Sequence, residues 1–336
     1  METVQAALWL VILLVALALA FDFMNGFHDA ANSIATVVST GVLKPATAVL
    51  FAAFFNLVAI FVFHLGVAAT VGKGIVEPGV VDTHLVFGAL ISAITWNILT
   101  WHYGIPSSSS HALIGGIVGA VLAKSGAGSL IGAGIWKTVL FIFVSPFLGF
   151  LFGSLMMVLV SRLVRRGAPS RVDPWFRRLQ LVSAGAYSLG HGGNGAQKTI
   201  GIIWMLLIAT GYAAAGEPMP PVWVVVTCYL AIALGTMFGG WRSIKTRRQK
   251  ITKLRPVGGF CAETGGAITL FLATGLGIPV STTHTISAAI VGVGSTQRAG
   301  PVRWVVAGNI VWAWIFTIPA SAFAAAIAYW LSLQVY

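Results

Sequence analysis

Three of the eight acidic residues, Asp22, Asp29 and Glu263, stand in apolar surroundings, whereas Glu2, Glu77, Asp82, Asp173 and Glu217 fit the N-terminus or loops. An ionised carboxylate in an apolar setting costs several kcal/mol unless it is paired or put to use, so each of the three is a candidate for holding or coupling a cation. Asn32 follows Asp29 by about one helical turn and shares a face with it. Carboxylate, amide and backbone oxygens together are hard ligands suited to Na+, with Asp22, Asp29 and Asn32 as the nearest set. The competing role for such an acid is to cap a helix or to pair with Lys198.

A second group of residues suits an oxyanion. Pro106-Ser107-Ser108-Ser109-Ser110-His111 and Pro279-Val280-Ser281-Thr282-Thr283-His284 read as helix starts, because Ser and Thr favour N-cap positions, with helices expected over 112–123 and 285–294. Most single caps of this kind only finish a helix. Two of them related by a two-fold axis would aim hydroxyls and backbone N–H groups at one tetrahedral anion. His111 and His284 either donate to that ligand or bond a neighbouring carbonyl, while His64, His84 and His102 read as structural. Lys198 needs an anion or a carboxylate beside it. Asn56, in the middle of an apolar run, either meets a cation or bonds across helices, and the second is favoured.

These segments come in pairs, and that fact says which elements must carry them. Asn25-Gly26-Phe27-His28-Asp29-Ala30-Ala31-Asn32-Ser33 has a counterpart 166 positions later in His191-Gly192-Gly193-Asn194-Gly195-Ala196-Gln197-Lys198-Thr199. Gly104-Ile105-Pro106 opens a segment whose counterpart, Gly277-Ile278-Pro279, lies 173 positions later. Two similar offsets in the same order indicate a duplicated half: a first repeat over 1–161, a basic linker over 162–178 and a second repeat over 179–336.

Composition names the solvent of those elements. The chain has 336 residues, of which 57% are hydrophobic and 8% charged, with a mean hydropathy of +0.91. A soluble domain carries about 25% charged residues, so a soluble enzyme or DNA-binding protein is excluded and the lipid bilayer is the surrounding medium. Apolar stretches run at about 5–24, 46–70, 84–103, 134–161, 222–240, 257–276 and 304–334. The expectation is an all-α polytopic membrane protein of two inverted-topology repeats, with broken helices and re-entrant hairpins and about 10–12 membrane elements.

The net charge of +12 is concentrated in two places, Arg162, Arg165, Arg166, Arg171, Arg177 and Arg178, and then the loop 241–255 with Arg242, Lys245, Arg247, Arg248, Lys250, Lys253 and Arg255. Neither run has a folded module around it, so no nucleic-acid partner is expected; both fit cytoplasmic loops. The N-terminal segment lacks the basic flank of a signal peptide and reads as a first membrane helix, with both termini expected outside. Cys228 and Cys261 read as buried core thiols with no cofactor or metal to hold. Within Leu179–Tyr212, four glycines among Gly190-His191-Gly192-Gly193-Asn194-Gly195 predict an unwound centre between two half-helices.

The two Asn/His-containing motifs and the two Pro-Ser/Thr-His segments resemble the PiT family of inorganic phosphate transporters over nearly the whole chain. The resemblance implies a cation-coupled symporter of inverted repeats, a homodimer in the cell membrane. Carried over, it implies Asp22, Asp29 and Asn32 at the cation sites. It further implies phosphate contacts from Asn25, Asn194, Gln197 and Lys198 with Ser107, Ser108, Ser109, Ser110, Ser281, Thr282 and Thr283. Glu263 joins the coupling candidates as the remaining membrane acid. One departure stands out: the family's second motif places an Asp after the Asn, and here that position is Gly195. Restoring the acid is expected to raise coupled uptake.

The leading expectation is therefore a secondary transporter, not an enzyme, importing inorganic phosphate with Na+ or H+ by alternating access. Coupled cations would both neutralise the anion in a low-dielectric site and link it to their gradient. A sulfate permease of the same fold is the nearest alternative, since sulfate is tetrahedral but has no proton to donate. A phosphate-permeable channel is the next, although carboxylates along an anion path argue against it.

Overall fold

In the computed structural model, which describes residues 7–105, 107–247, 254–296 and 304–335, the chain is almost entirely helical. Eleven α-helices follow one another: α1 Leu8–Ser39, α2 Pro45–Val58, α3 Gly66–Lys73, α4 Thr83–Tyr103, α5 Ser109–Ser125, α6 Gly132–Val164, α7 Pro169–Ala209, α8 Val222–Arg247, α9 Pro256–Gly275, α10 Thr282–Ser295 and α11 Trp304–Ser332. Among the described residues, six helices are long and apolar enough to cross a membrane, and the pair bent around residues 62–65 has the length and composition of a broken span or a re-entrant loop. Large side chains such as Trp9, Phe54, Trp136, Phe143, Phe238 and Trp330 are exposed on the outer surface, as expected of a lipid-facing perimeter. Part of the second basic loop (248–253), and Pro106, lie outside the described residues.

α1 and α7 form the central pair and run antiparallel. Arg177, near the start of α7, donates from Nη1 to the Gly41 carbonyl just beyond the end of α1, at 3.0 Å. At the opposite face, Leu8 at the start of α1 shares a groove of about 400 Å³ with Tyr212 just beyond the end of α7. The 166-residue offset therefore relates two neighbouring helices of opposite direction.

The expected break in α7 does not occur. α7 is one helix of 41 residues, and α1 likewise continues through Asn25–Ser33 to Ser39. The glycines serve close packing instead. A Cβ on Gly192 would come within 2.5 Å of the Asn56 carbonyl, one on Gly193 within 2.3 Å of the Phe63 ring, and one on Gly190 within 2.8 Å of Leu270. Packing this close against the neighbouring helices outweighs the ~1 kcal/mol helix penalty of a glycine. The break falls in the first half instead, where the Pro45–Phe61 and Gly66–Lys73 segments meet at 79°. There Gln197 of α7 caps α3: its Oε1 accepts from the amides of Val67 (3.0 Å) and Ala68 (3.3 Å), and its Nε2 donates to the His64 carbonyl.

Helices α4–α5 and α9–α10 form two hairpins. The open end of the first is closed by the Lys124–Asp82 ion pair, on the face where Leu8 lies, since Lys73 near it donates to the Ala215 and Glu217 carbonyls beyond α7. The second begins at the other face, where Gly259 of α9 packs on Gln180 near the start of α7. Outer helices clasp the hairpins reciprocally: α5 and α4 pack on α11, while α10 and α9 pack on α6. The contacts are glycine-mediated in both halves, with Gly115 and Gly119 against Ile318 and Ala322, and Gly149 and Gly153 against Thr285 and Ala289. Cys228 and Cys261 are both buried, free thiols.

A Cβ at Gly119 would lie 2.0 Å from the Ala322 carbonyl oxygen. Gly119→Ala is expected to destabilise the protein by roughly 1–3 kcal/mol through overpacking. Gly128→Ala, where nothing lies within 4 Å, should leave the thermal unfolding midpoint in detergent unchanged.

Candidate functional site

The site assembles where the tips of the two hairpins reach the middles of α1 and α7. Both helix starts form as the sequence predicts. The Ser108 hydroxyl accepts from the His111 amide and the Ser281 hydroxyl from the His284 amide, each at 3.2 Å. The helices begin slightly earlier than expected, at Ser109 and Thr282. Ser108 and Ser281 are thereby occupied as caps, which leaves the next residues of each turn to face inward.

Asp29, 3% exposed, is the hub of the first half. Its Oδ1 accepts from Thr283 Oγ1 and from Asn32 Nδ2, both at 2.9 Å, and its Oδ2 accepts from Thr282 Oγ1 at 3.3 Å. Asn32 Nδ2 also reaches Thr283 Oγ1 at 2.8 Å, closing a triangle between α1 and α10. His28 Nδ1 lies 3.1 Å and His191 Nε2 3.7 Å from the carboxylate. His191 is held in turn by Asn56 Oδ1 at 3.2 Å, and Asn56 Nδ2 donates to Thr236 Oγ1 at 2.8 Å. Asn56 thus bonds across helices, as favoured from sequence, and through His191 it also orients the hub.

Lys198 is the hub of the second half. Its ammonium donates to Ser110 Oγ and, at 3.1 Å, to the Val280 carbonyl, and Asp29 and Asp22 lie within electrostatic range. Ser110 Oγ donates to the same carbonyl at 3.0 Å. Asn194 pins the second hairpin tip: its Oδ1 accepts from the Val280 amide, and its Nδ2 donates to the Ile278 carbonyl and to Thr274. The His111 and His284 rings sit edge to face at 4.4 Å across the junction of the tips.

Several buried polar atoms here have no hydrogen-bond partner: both carboxylate oxygens of Asp22, Ser109 Oγ, Thr199 Oγ1, His28 Nε2 and the ring nitrogens of His111 and His284. Buried polar groups are normally satisfied, and unsatisfied ones commonly mark a site for an ion or ligand. Asp22, fully buried, faces Asn25, Thr199 and Lys198. Anion-seeking donors and cation-seeking oxygens therefore converge in one buried interior.

Not every candidate lies there. Gln197 is consumed in capping α3. Ser107 donates to Thr100 Oγ1 at the base of the first tip. Glu263 accepts from Ser183 Oγ at 2.6 Å and Gln180 Nε2 at 3.2 Å, nearer the Arg177 end of α7. The roles of His28 and His191 escaped sequence reasoning, which placed both in the paired motifs without assigning them a partner.

Comparison with known proteins identifies the family. The profile of the phosphate transporter family matches residues 25–171 and 165–325. A probable low-affinity inorganic phosphate transporter of Rhizobium meliloti (strain 1021) is 60% identical over 316 residues, 94% of each chain. One of Bacillus subtilis (strain 168) is 44% identical over 96% of this chain and 97% of its own length. A solved structure described as the sodium-dependent phosphate transporter superposes with a TM-score of 0.89, covering 98% of this chain and 100% of that one at 26% identity. A multi-pass helical membrane protein matched this closely along its whole length belongs to the phosphate transporter family.

Proposed function

We propose that the chain imports inorganic phosphate together with a monovalent cation, by alternating access around the site between the two hairpin tips. The observation that carries this reading is the joining of both helix starts to Asp29 and Lys198. A carboxylate beside the anion's place disfavours an anion channel, whereas a cation-coupled carrier has a use for it. Phosphate would take donors from Lys198, Ser109, Ser110 and the first-turn amides of α5 and α10. The cation would take oxygens from Asp29, Asn32 and Asp22. The match to a protein described as sodium-dependent favours Na+; H+ is the alternative.

The antiparallel α1 and α7, the hairpins open toward opposite faces and the reciprocal clasp of α6 and α11 support two inverted repeats, 1–161 and 179–336, joined by the linker 162–178. Rocking one repeat against the other would expose a fixed site to each face in turn. The face carrying Arg165, Arg166 and Arg177 is the cytoplasmic one by its basic charge, which puts the start of α1 and the end of α11 outside. The working unit is a homodimer in the cell membrane.

Labelled phosphate uptake into proteoliposomes, with Na+ and pH gradients imposed separately, tests the reading. Uptake should follow one of the two gradients and resist competition by sulfate. Uptake indifferent to both gradients would make the protein a channel, and equal competition by sulfate a general oxyanion carrier. Asp29→Asn keeps the volume but removes the charge, and is expected to lower cation-driven uptake at least tenfold (about 1.4 kcal/mol or more). Thr283→Val, which removes one bond to the same carboxylate, should raise the cation concentration needed for half-maximal uptake while the protein stays folded, as read by its thermal unfolding.

A further inference from the structure

The two halves of the site occupy equivalent places but differ in content. The 166-residue offset pairs Asp29 with Gly195 and Asn32 with Lys198, and the packing keeps that register. Gly26 of α1 rests on the Ile232 carbonyl of α8, and Gly192 of α7 rests on the Asn56 carbonyl of α2. Ile232 therefore stands where Asn56 stands in the other half. Asn32 bonds Thr283 in the second hairpin, and Lys198 bonds Ser110 in the first. Asp29 faces His191, and a Cβ at position 195 would face Asn25, 3.3 Å from its Nδ2; Asn25 and His191 are themselves the first members of the paired motifs.

Of the exchanges between the halves, three bear on the place of a cation, and they fit one another. The acid is replaced by Gly195, the supporting amide by Ile232, and the second amide by Lys198. Ile232 Cδ1 lies 2.5 Å from where a Cβ of residue 195 would be, so an apolar methyl fills the space an acidic side chain would take and offers a cation no ligand. The ammonium of Lys198 meanwhile rests on Ser110 Oγ and the Val280 carbonyl, two oxygens of the type that would coordinate a monovalent ion.

We propose that Lys198 is a tethered cation standing in for a second mobile coupling ion, with Gly195 and Ile232 closing the place that ion's carboxylate would occupy. Its positive charge would be supplied in every cycle without drawing on a gradient. The chain would then move one fewer monovalent cation per phosphate than a site with an acid in both halves. This rests on the cation-coupled reading above. It also means that Gly195→Asp alone would not rebuild a second ion site, because Ile232 and Lys198 still occupy it.

The test uses the full chain in proteoliposomes, with labelled phosphate uptake measured against the concentration of the ion that drives it. Lys198→Asn should lose at least tenfold of the uptake. The triple variant Gly195→Asp, Ile232→Asn, Lys198→Asn carries these three residues of the first half into the second. It should recover uptake with a cation dependence steeper than the parent's by about one Hill unit. Equal steepness in parent and triple variant, or parental uptake by Lys198→Asn, would overturn the proposal. Should the triple variant not fold, Lys198→Ala supplied with ethylammonium provides the second reading. Recovered uptake supports a role as a charge, and no recovery in a protein that unfolds at the parental temperature counts against it. A parent whose uptake ignores both Na+ and pH gradients would instead sink the coupling reading itself.

Discussion

Asp29 and Lys198 carry opposite charges into one buried interior, and the surrounding structure is arranged to make that tolerable. Removing two ions from water costs several kcal/mol each, and their attraction compensates only if the remaining lone pairs and protons are bonded. The bonds come from elsewhere in the chain. Thr282 and Thr283 reach Asp29 from α10, while Ser110 of α5 and the Val280 carbonyl hold the ammonium. Each charge on a central helix is thus satisfied by the tip of a hairpin, so the hairpins cannot part from α1 and α7 without leaving a charge buried and uncompensated.

The rest of the architecture secures that meeting. α1 and α7 lie antiparallel at the centre, and the hairpins converge from opposite faces. Glycines let the helices approach at backbone distance, Gly119 on Ala322 in one half and Gly153 on Ala289 in the other. Helix association in lipid relies on this close packing, because lipid tails are as apolar as leucine and supply no hydrophobic driving force. Asn194 and Gln197 act one step further back. The first fixes the tip 278–280 by two hydrogen bonds and ties to Thr274 of α9 by a third, and the second caps the buried first-turn amides of α3. Both are polar side chains of the central helix committed to backbone groups that have no water to turn to.

That helps to explain which parts were legible beforehand. The Ser/Thr runs announced helix starts because an N-cap is a local bond, between Ser108 and the amide three residues on, and local bonds follow spacing. The same argument failed at Gly190–Gly195, where intrinsic propensity predicts unwinding. Propensity counts what a glycine costs a helix alone; it cannot count the packing of Gly192 on Asn56 or Gly193 on Phe63, which lie far off in the chain. Gln197's partners were hidden for the same reason. Its place in a motif is visible, but the α3 amides it serves are set by a 79° bend in another element.

Taken alone, the sequence determined the solvent, the pairing of the motifs and the identity of the buried charges. Composition, periodicity and spacing are summed along the chain and require no partner. Only the tertiary structure decided that Asp29 answers to His191 and Thr283, that Lys198 answers to Ser110, and that Ile232 fills the space beside Gly195. Those relations join residues from different helices, and their energies depend on distances of a few ångströms that no linear pattern records.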